Sequence, residues 1–366
     1  MTSIDSGADV VVATSGPNSN VQYDHSVAAL PGGGFVVSWL NYVTRDTYPY
    51  TTAVTVEGAV YNADGSLLSN FTGATVNGGF SELAILYADV ATLPSGQFVV
   101  AWASINTTTN EPEIDAQIFN SDGTAATSEF SAIMGASRFQ SLTVLTNGTF
   151  AIVGVGSNGI VGNVFNPNGS PVIGGSFSIA VPTSLAFRFP KAVALANGGF
   201  LVDWLTNGSG SAALDGQLFT SNGTTDGPPF AITDTSNSLV ATAALADGQL
   251  VFAWTTSING IITLDTRVFN ADGSPSTNII QVSDGPGGYP GEPALAALPD
   301  GNFVLAWGDS TVSSSGDDLY TLTRRNLTQT GLRWVVYLRL SRRRQISHKI
   351  RLNHTIQISR CYQTDD

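Results

Sequence analysis

Four acidic residues recur at one place in a repeating pattern. Glu57, Asp115, Asp215 and Asp265 each stand four positions before an aromatic residue, and Val161 breaks the series. Carboxylates brought together from successive repeats would make an oxygen-rich site for a hard cation or a polar ligand. The same spacing also suits strand-entry residues that face solvent, and at this point both readings stand. Asp203 is the most unusual carboxylate, because it precedes Trp204 where the other repeats have Ser38, Ala101, Ala253 and Ala306. A charge on an inner strand must be paired, solvated or functional, and we expect it to be solvated in a channel. Asp64, Asp122 and Asp272 lie in Asp-Gly turns. Each brings one carboxylate where an EF-hand-like loop brings three or more, so turn chemistry accounts for them without a metal.

Nucleophilic catalysis finds few candidates. His25 is the only histidine before residue 324. It has Asp24 beside it and no Ser or Cys singled out as its nucleophile, so a catalytic triad is not expected. Trp39, Trp102, Trp204, Trp254 and Trp307 close five of six repeats. They could stack on sugars, but a fixed place in each repeat suits packing between adjacent sheets, where a large ring fills a wedge-shaped gap.

Composition narrows the classes further. The chain has 15 Lys plus Arg against 28 Asp plus Glu, a net charge of −13, which argues against nucleic acid or an anionic membrane as its partner. Three His and one Cys exclude a disulfide framework and leave little for a Cys/His metal site. No run of 18 apolar residues is present, so no membrane span is expected. Met1 to Ser15 carries no basic residue ahead of its short apolar run, so it does not read as a secretory signal.

The elements that would position these residues come from an internal repeat. Six segments begin with Leu, have Gly three places later and, with one exception, end in Trp: Leu30–Trp39, Leu93–Trp102, Leu145–Gly154, Leu195–Trp204, Leu245–Trp254 and Leu298–Trp307. Their starts lie 63, 52, 50, 50 and 53 residues apart, a period that suits one propeller blade. A second pattern follows the first five, at Tyr61–Gly65, Phe119–Gly123, Phe165–Gly169, Phe219–Gly223 and Phe269–Gly273. Both patterns read as tight hairpins with two-residue type I′ turns, giving four strands per repeat. The expected fold is all-β, a six-bladed β-propeller of four-stranded antiparallel blades. The sixth repeat lacks a recognisable fourth strand, and the stretch Ala8 to Gly16 is expected to supply it and close the ring.

These repeats resemble those of large secreted bacterial proteins that often also carry calcium-binding repeats-in-toxin nonapeptides. The resemblance rests on the Leu-x-x-Gly-x-Phe-Val-Val-x-Trp pattern followed by Phe-Asn-x-Asp-Gly and covers about Ala8 to Thr323. It implies a scaffold rather than an activity, with calcium as the cofactor and export by a type I route. No Gly-Gly-x-Gly-x-Asp nonapeptide occurs in this sequence.

Charge then places a boundary. Residues 1–323 hold five basic and 26 acidic side chains, whereas 324–366 hold ten basic and two acidic ones. We therefore expect a propeller over 1–325 and a basic tail over 326–366, poorly ordered or non-native, as translation in a shifted reading frame would produce. The function expected is a non-catalytic extracellular binding, adhesion or spacer module, leaning away from an enzyme. It would act on a polysaccharide or surface protein, as a monomer or part of a larger chain. The alternative is a propeller-type glycoside hydrolase or lyase using carboxylates near the central channel.

Overall fold

The computed structural model describes residues 21–44, 52–77, 88–106, 108–109, 111–157, 159–180, 186–207, 212–236, 240–258, 261–283, 288–312, 318–328, 331–340 and 357–359. Every named element among them is a strand. None of the described residues forms a helix long and apolar enough to cross a membrane.

Five sheets have four strands each in simple meander order. The first holds β1 (Val21–Ala29), β2 (Phe35–Thr44), β3 (Thr52–Tyr61) and β4 (Leu67–Asn77). The second holds β5 (Ala88–Thr92), β6 (Phe98–Ile105), β7 (Pro112–Phe119) and β8 (Phe130–Met134). The third holds β9 (Ala136–Val144), β10 (Phe150–Gly156), β11 (Gly159–Phe165) and β12 (Phe177–Ala180). The fourth holds β13 (Ala186–Ala194), β14 (Phe200–Asn207), β15 (Ala212–Phe219) and β16 (Phe230–Ser236). The fifth holds β17 (Val240–Ala244), β18 (Leu250–Ile258), β19 (Ile261–Phe269) and β20 (Ile280–Ser283).

The sixth sheet differs. Its first strand is broken into β21 (Gly288–Pro290) and β22 (Ala294–Ala297), both paired with β23 (Phe303–Val312). Then follow β24 (Asp318–Thr328), β25 (Gly331–Leu340) and β26 (Gln357–Ser359). Contrary to expectation, this sheet has a strand after its third. β25 pairs with β24 from Tyr320↔Leu340 to Thr328↔Gly331, so tail residues occupy that place. The reason is readable in Gly331 to Leu340, where Leu, Trp, Val and Tyr dominate between two Arg residues. Counting charge over the whole tail hid this strand-forming run. The stretch Ala8 to Gly16, expected to fill the same place, lies outside the described residues.

The hairpins also differ from expectation. Gly33 N–H donates to Leu30 C=O at 2.9 Å while Leu30 N–H donates to Gly34 C=O at 2.8 Å. That pattern closes a three-residue loop, a turn followed by a residue in the left-handed region, and Gly33 has φ 91°. The same two bonds recur at Asn62 to Ser66, with Gly65 at φ 81°. Glycine is thus required at the third loop position, and the two-residue type I′ assignment is wrong by one residue.

The chain divides into two compact units, one of Met1–Thr183, Phe187–Ala192 and Thr220–Thr224, the other of Ser184–Ala186, Val193–Phe219 and Thr225–Asp366. Within the first, Val36, Leu40, Val56 and Phe71 pack on Phe98, Val100 and Trp102, while Val99, Ala101 and Ile114 pack on Leu142, Phe150 and Ile152. Within the second, Leu201, Leu205 and Leu214 pack on Leu250, Phe252 and Trp254, while Val251, Ala253 and Leu264 pack on Phe303, Leu305 and Trp307. Side chains alternate across a strand, so in the second, third, fifth and sixth sheets the second strand turns its Phe- or Leu-led face to the preceding sheet of the same unit.

Candidate functional site

The recurring acids sit directly across the ladder from the tryptophans. Trp39 pairs with Glu57, Trp102 with Asp115, Trp204 with Asp215 and Trp254 with Asp265. Where Gly154 replaces Trp, Val161 replaces the acid opposite it. Each acid also receives a side chain two residues beyond the Trp. Asn41 Nδ2 donates to Glu57 at 2.8 Å, Ser104 Oγ to Asp115, Thr206 Oγ1 to Asp215 at 3.5 Å and Thr256 Oγ1 to Asp265 at 2.7 Å. Trp39 Nε1 donates to Glu57 Oε2 at 3.3 Å. The acids are therefore held one by one inside their own sheets. They do not face solvent, since Asp115 and Asp265 are 6% and 9% exposed and the other two are half-buried.

The second sheet adds two carboxylates that the sequence reading did not single out. Glu113 lies two residues before Asp115 on β7, hence on the same face, and accepts from Asn106 Nδ2 at 3.2 Å and Ser131 Oγ at 2.8 Å. Glu129, just before β8, shares a hydrogen bond with Asp115. Burial pushes Asp115 up to about 7 against the Ser104 hydrogen bond, and the charges of Glu113 and Glu129 push the same way. Glu129 is raised first by burial, an effect that its bond to Asp115 opposes. Two carboxyls in contact resist losing both protons, because like charges side by side disfavour the doubly ionised pair. The run Glu111-Pro112-Glu113-Ile114-Asp115 carried this signal, because alternate residues of a strand share a face.

Burial also raises Asp215 and Asp265, opposed by Thr206 in one case and by Thr256 and Thr263 in the other. A carboxyl raised in the folded state stabilises the fold most below its unfolded value near 4, and that contribution is lost as pH climbs through the folded value. The melting temperature should therefore fall between pH 4.5 and pH 8. Asp115→Asn should flatten that fall and stabilise the protein at pH 8 by on the order of 1–2 kcal/mol after allowing for solvent screening. A pH profile of thermal unfolding identical to wild type would refute this.

The Asp-Gly turns are closed locally. Asp64 Oδ1 accepts from Ser66 N–H at 2.9 Å and Ser66 Oγ at 2.6 Å, and Asp122 with Thr124 and Asp272 with Ser274 do the same. The side-chain hydrogen bond first, then the backbone one, holds all three below the usual carboxylate range. Among the described residues no three His, Cys, Asp or Glu side chains converge to hold a metal ion, so these residues do not fit the calcium that the repeat resemblance implies.

Asp203 is not solvated as expected. It is 2% exposed and accepts from Thr242 Oγ1 at 2.7 Å. Equivalent bonds tie first strands together elsewhere. Ser26 Oγ donates to Asp89 Oδ1 at 2.7 Å, Leu142 N–H to Asp89 Oδ2 at 3.1 Å and Ala192 N–H to Ser141 Oγ at 3.1 Å. His25 is exposed on β1. Trp39, Trp102, Trp204, Trp254 and Trp307 are 8%, 0%, 4%, 0% and 3% exposed, which leaves none of them as an open stacking platform.

No protein-family model matches the chain, and no curated protein matches it. Solved structures do. An α-L-arabinanase from Penicillium chrysogenum, complexed with arabinobiose, is 14% identical with a TM-score of 0.51 over 88% of this chain and 98% of that one. An α-L-arabinofuranosidase from Fusarium graminearum is 10% identical, covering 86% and 96%, with a TM-score of 0.49. The β-propeller domain of the Trilobed protease from Pyrococcus furiosus is 11% identical, covering 87% and 92%, with a TM-score of 0.46. What the chain shares is the β-propeller fold. Each four-stranded sheet is then one blade, and the Trp and acid pair with a polar side chain two residues beyond the Trp is a blade feature repeated in four of the six. That side chain is a hydroxyl in three and the Asn41 amide in the first.

Proposed function

We propose that the chain is a carbohydrate-active β-propeller whose acid and base groups are Glu113, Asp115 and Glu129 of the second blade. The observation that carries this reading is the group raised to about 7 within hydrogen-bonding reach of a second carboxyl and beside a third. Glycosidic hydrolysis needs one carboxyl that delivers a proton to the leaving oxygen and another that acts on water or the sugar. The Asp115–Glu129 pair would be the proton donor. Glu113, oriented by Asn106 and Ser131, would be the second group. The arabinanase likeness supports sugar as the ligand class to try first.

A second reading is a non-catalytic binding, adhesion or spacer module. It is favoured by the recurrence of the Asp115 arrangement at Glu57, Asp215 and Asp265, because a catalytic group has no reason to be repeated blade by blade. Hydrolysis should be measured across arabinan, other polysaccharides and aryl glycosides. On the enzyme reading, Asp115→Asn and Glu113→Gln each lose about 10²- to 10⁴-fold in turnover while Asp265→Asn, at the same blade position without the extra acids, does not. Absence of turnover together with sugar binding that survives all three changes would leave the module reading standing.

The finer architecture belongs to the same proposal. In the second, fifth and sixth blades the face of strand two that carries Trp packs on the preceding blade. Phe35, Val37 and Trp39 present the same face in the first blade, and a six-bladed ring is the finer architecture that a cover for that face would support. The repeat resemblance supports an extracellular, secreted module as part of this proposal, with polysaccharide or a surface protein as its partner.

A further inference from the structure

We infer that the sixth sheet is the part of the fold that opens first, because the side-chain staple joining successive first strands stops at the fifth sheet. The staple position lies four residues before the leading Leu of each repeat: Ser26, Asp89, Ser141, Lys191, Ala241 and Ala294. In the first three sheets its oxygen accepts the N–H of the residue one past the equivalent place in the next sheet. Val90 N–H reaches Ser26 Oγ at 3.4 Å, Leu142 N–H reaches Asp89 at 3.1 Å and Ala192 N–H reaches Ser141 at 3.1 Å.

The fourth sheet has Lys191 there, and an ammonium group has no acceptor. Asp203, twelve residues on and next to Trp204, supplies the oxygen instead. Its partner Thr242 is again the residue one past the equivalent place, Ala241. The unusual carboxylate is thus the substitute for a lost acceptor. In the fifth sheet neither equivalent place offers a side-chain acceptor, because Ala241 and the residue opposite it, Ala253, both end in methyl groups. The receiving residue of the sixth sheet, Leu295, has no polar side-chain atom either.

Burial agrees with this chemistry. In β17, Ala241, Thr242 and Ala243 are buried, whereas in the four-residue β22 Ala294, Ala296 and Ala297 are exposed. The fifth and sixth sheets are held by apolar packing of Val251, Leu264 and Val268 against Phe303, Leu305 and Trp307. Packing of this kind is non-directional and does not by itself fix a register. Local opening follows the least anchored cooperative unit.

Hydrogen exchange followed by mass spectrometry on the full chain tests this. Amides of β23 and β24 should exchange at least tenfold faster than those of β18 and β19. Equal or slower exchange would overturn the inference. Transplanting the fourth-sheet pair into the seam, as Ala253→Asp with Leu295→Thr, should slow exchange of the sixth sheet roughly tenfold, the effect of one net hydrogen bond. Thr242→Val, which needs no new buried charge, should move the weak seam back by one sheet so that the fifth and sixth sheets exchange together. If Thr242→Val leaves the fifth sheet as protected as in wild type, the staple does not set the order of opening and the inference fails.

Discussion

Asp89→Ala is expected to destabilise the protein by about 2–4 kcal/mol. The carboxylate receives Ser26 Oγ from β1, Leu142 N–H from β9 and Val90 N–H beside it, so one side chain joins three first strands. Burial raises its proton affinity, while Ser26, the two backbone N–H groups and the charge of Lys191 all favour the ionised form. Removing it leaves the N–H of Leu142, a residue 7% exposed, facing a methyl group, and an unsatisfied buried donor costs more than the bond contributed. Asp89→Asn should fall between the two, because its single oxygen keeps one acceptor while its NH₂ meets a second donor. Urea unfolding midpoints would measure the series. A loss under about 0.5 kcal/mol for the Ala variant would mean that the inner strands are held by packing alone.

Much of the architecture was legible in the sequence because its signals are local. The Leu to Trp segments and the Phe-Asn-x-Asp-Gly turns fix strand ends by residue type, and they lie where β2, β6, β14, β18 and β23 begin. The turn type was misjudged because Gly-Gly or Asp-Gly suits both a two-residue and a three-residue loop, and only the bond from Gly33 to Leu30 separates them. Asp203 was illegible as a staple for a different reason. Its partner Thr242 is 39 residues away, and its purpose depends on Lys191 having displaced an acceptor on the facing strand. Glu129 was hidden in a loop before β8, and no periodicity ties a loop residue to Asp115 across the sheet. The strand β25 was masked by the Arg residues in and around it, since net charge over forty residues says nothing about the apolar run Trp334 to Leu338.

Trp254→Ala is expected to have the largest effect on stability of any single change here, about 3–5 kcal/mol. The ring is fully buried among Leu250, Phe252 and Phe269 of its own sheet and Leu201, Leu205 and Leu214 of the fourth, so truncation leaves a cavity between two sheets that cannot easily collapse. Its indole N–H has no hydrogen-bond partner among the described residues, so Trp254→Phe should recover most of the loss. Trp39 provides the comparison that bears on ring closure. It packs with Ala59 and Tyr61 on the face of the first sheet that in the second, fifth and sixth sheets meets a preceding neighbour. If the sixth blade covers that face, Trp39→Ala should cost as much as Trp254→Ala. Trp39→Phe should then recover less than Trp254→Phe, because the indole N–H donates to Glu57. A cost below about 1 kcal/mol for Trp39→Ala, beside a full cost for Trp254→Ala, would show an open array in which the first blade meets no sixth.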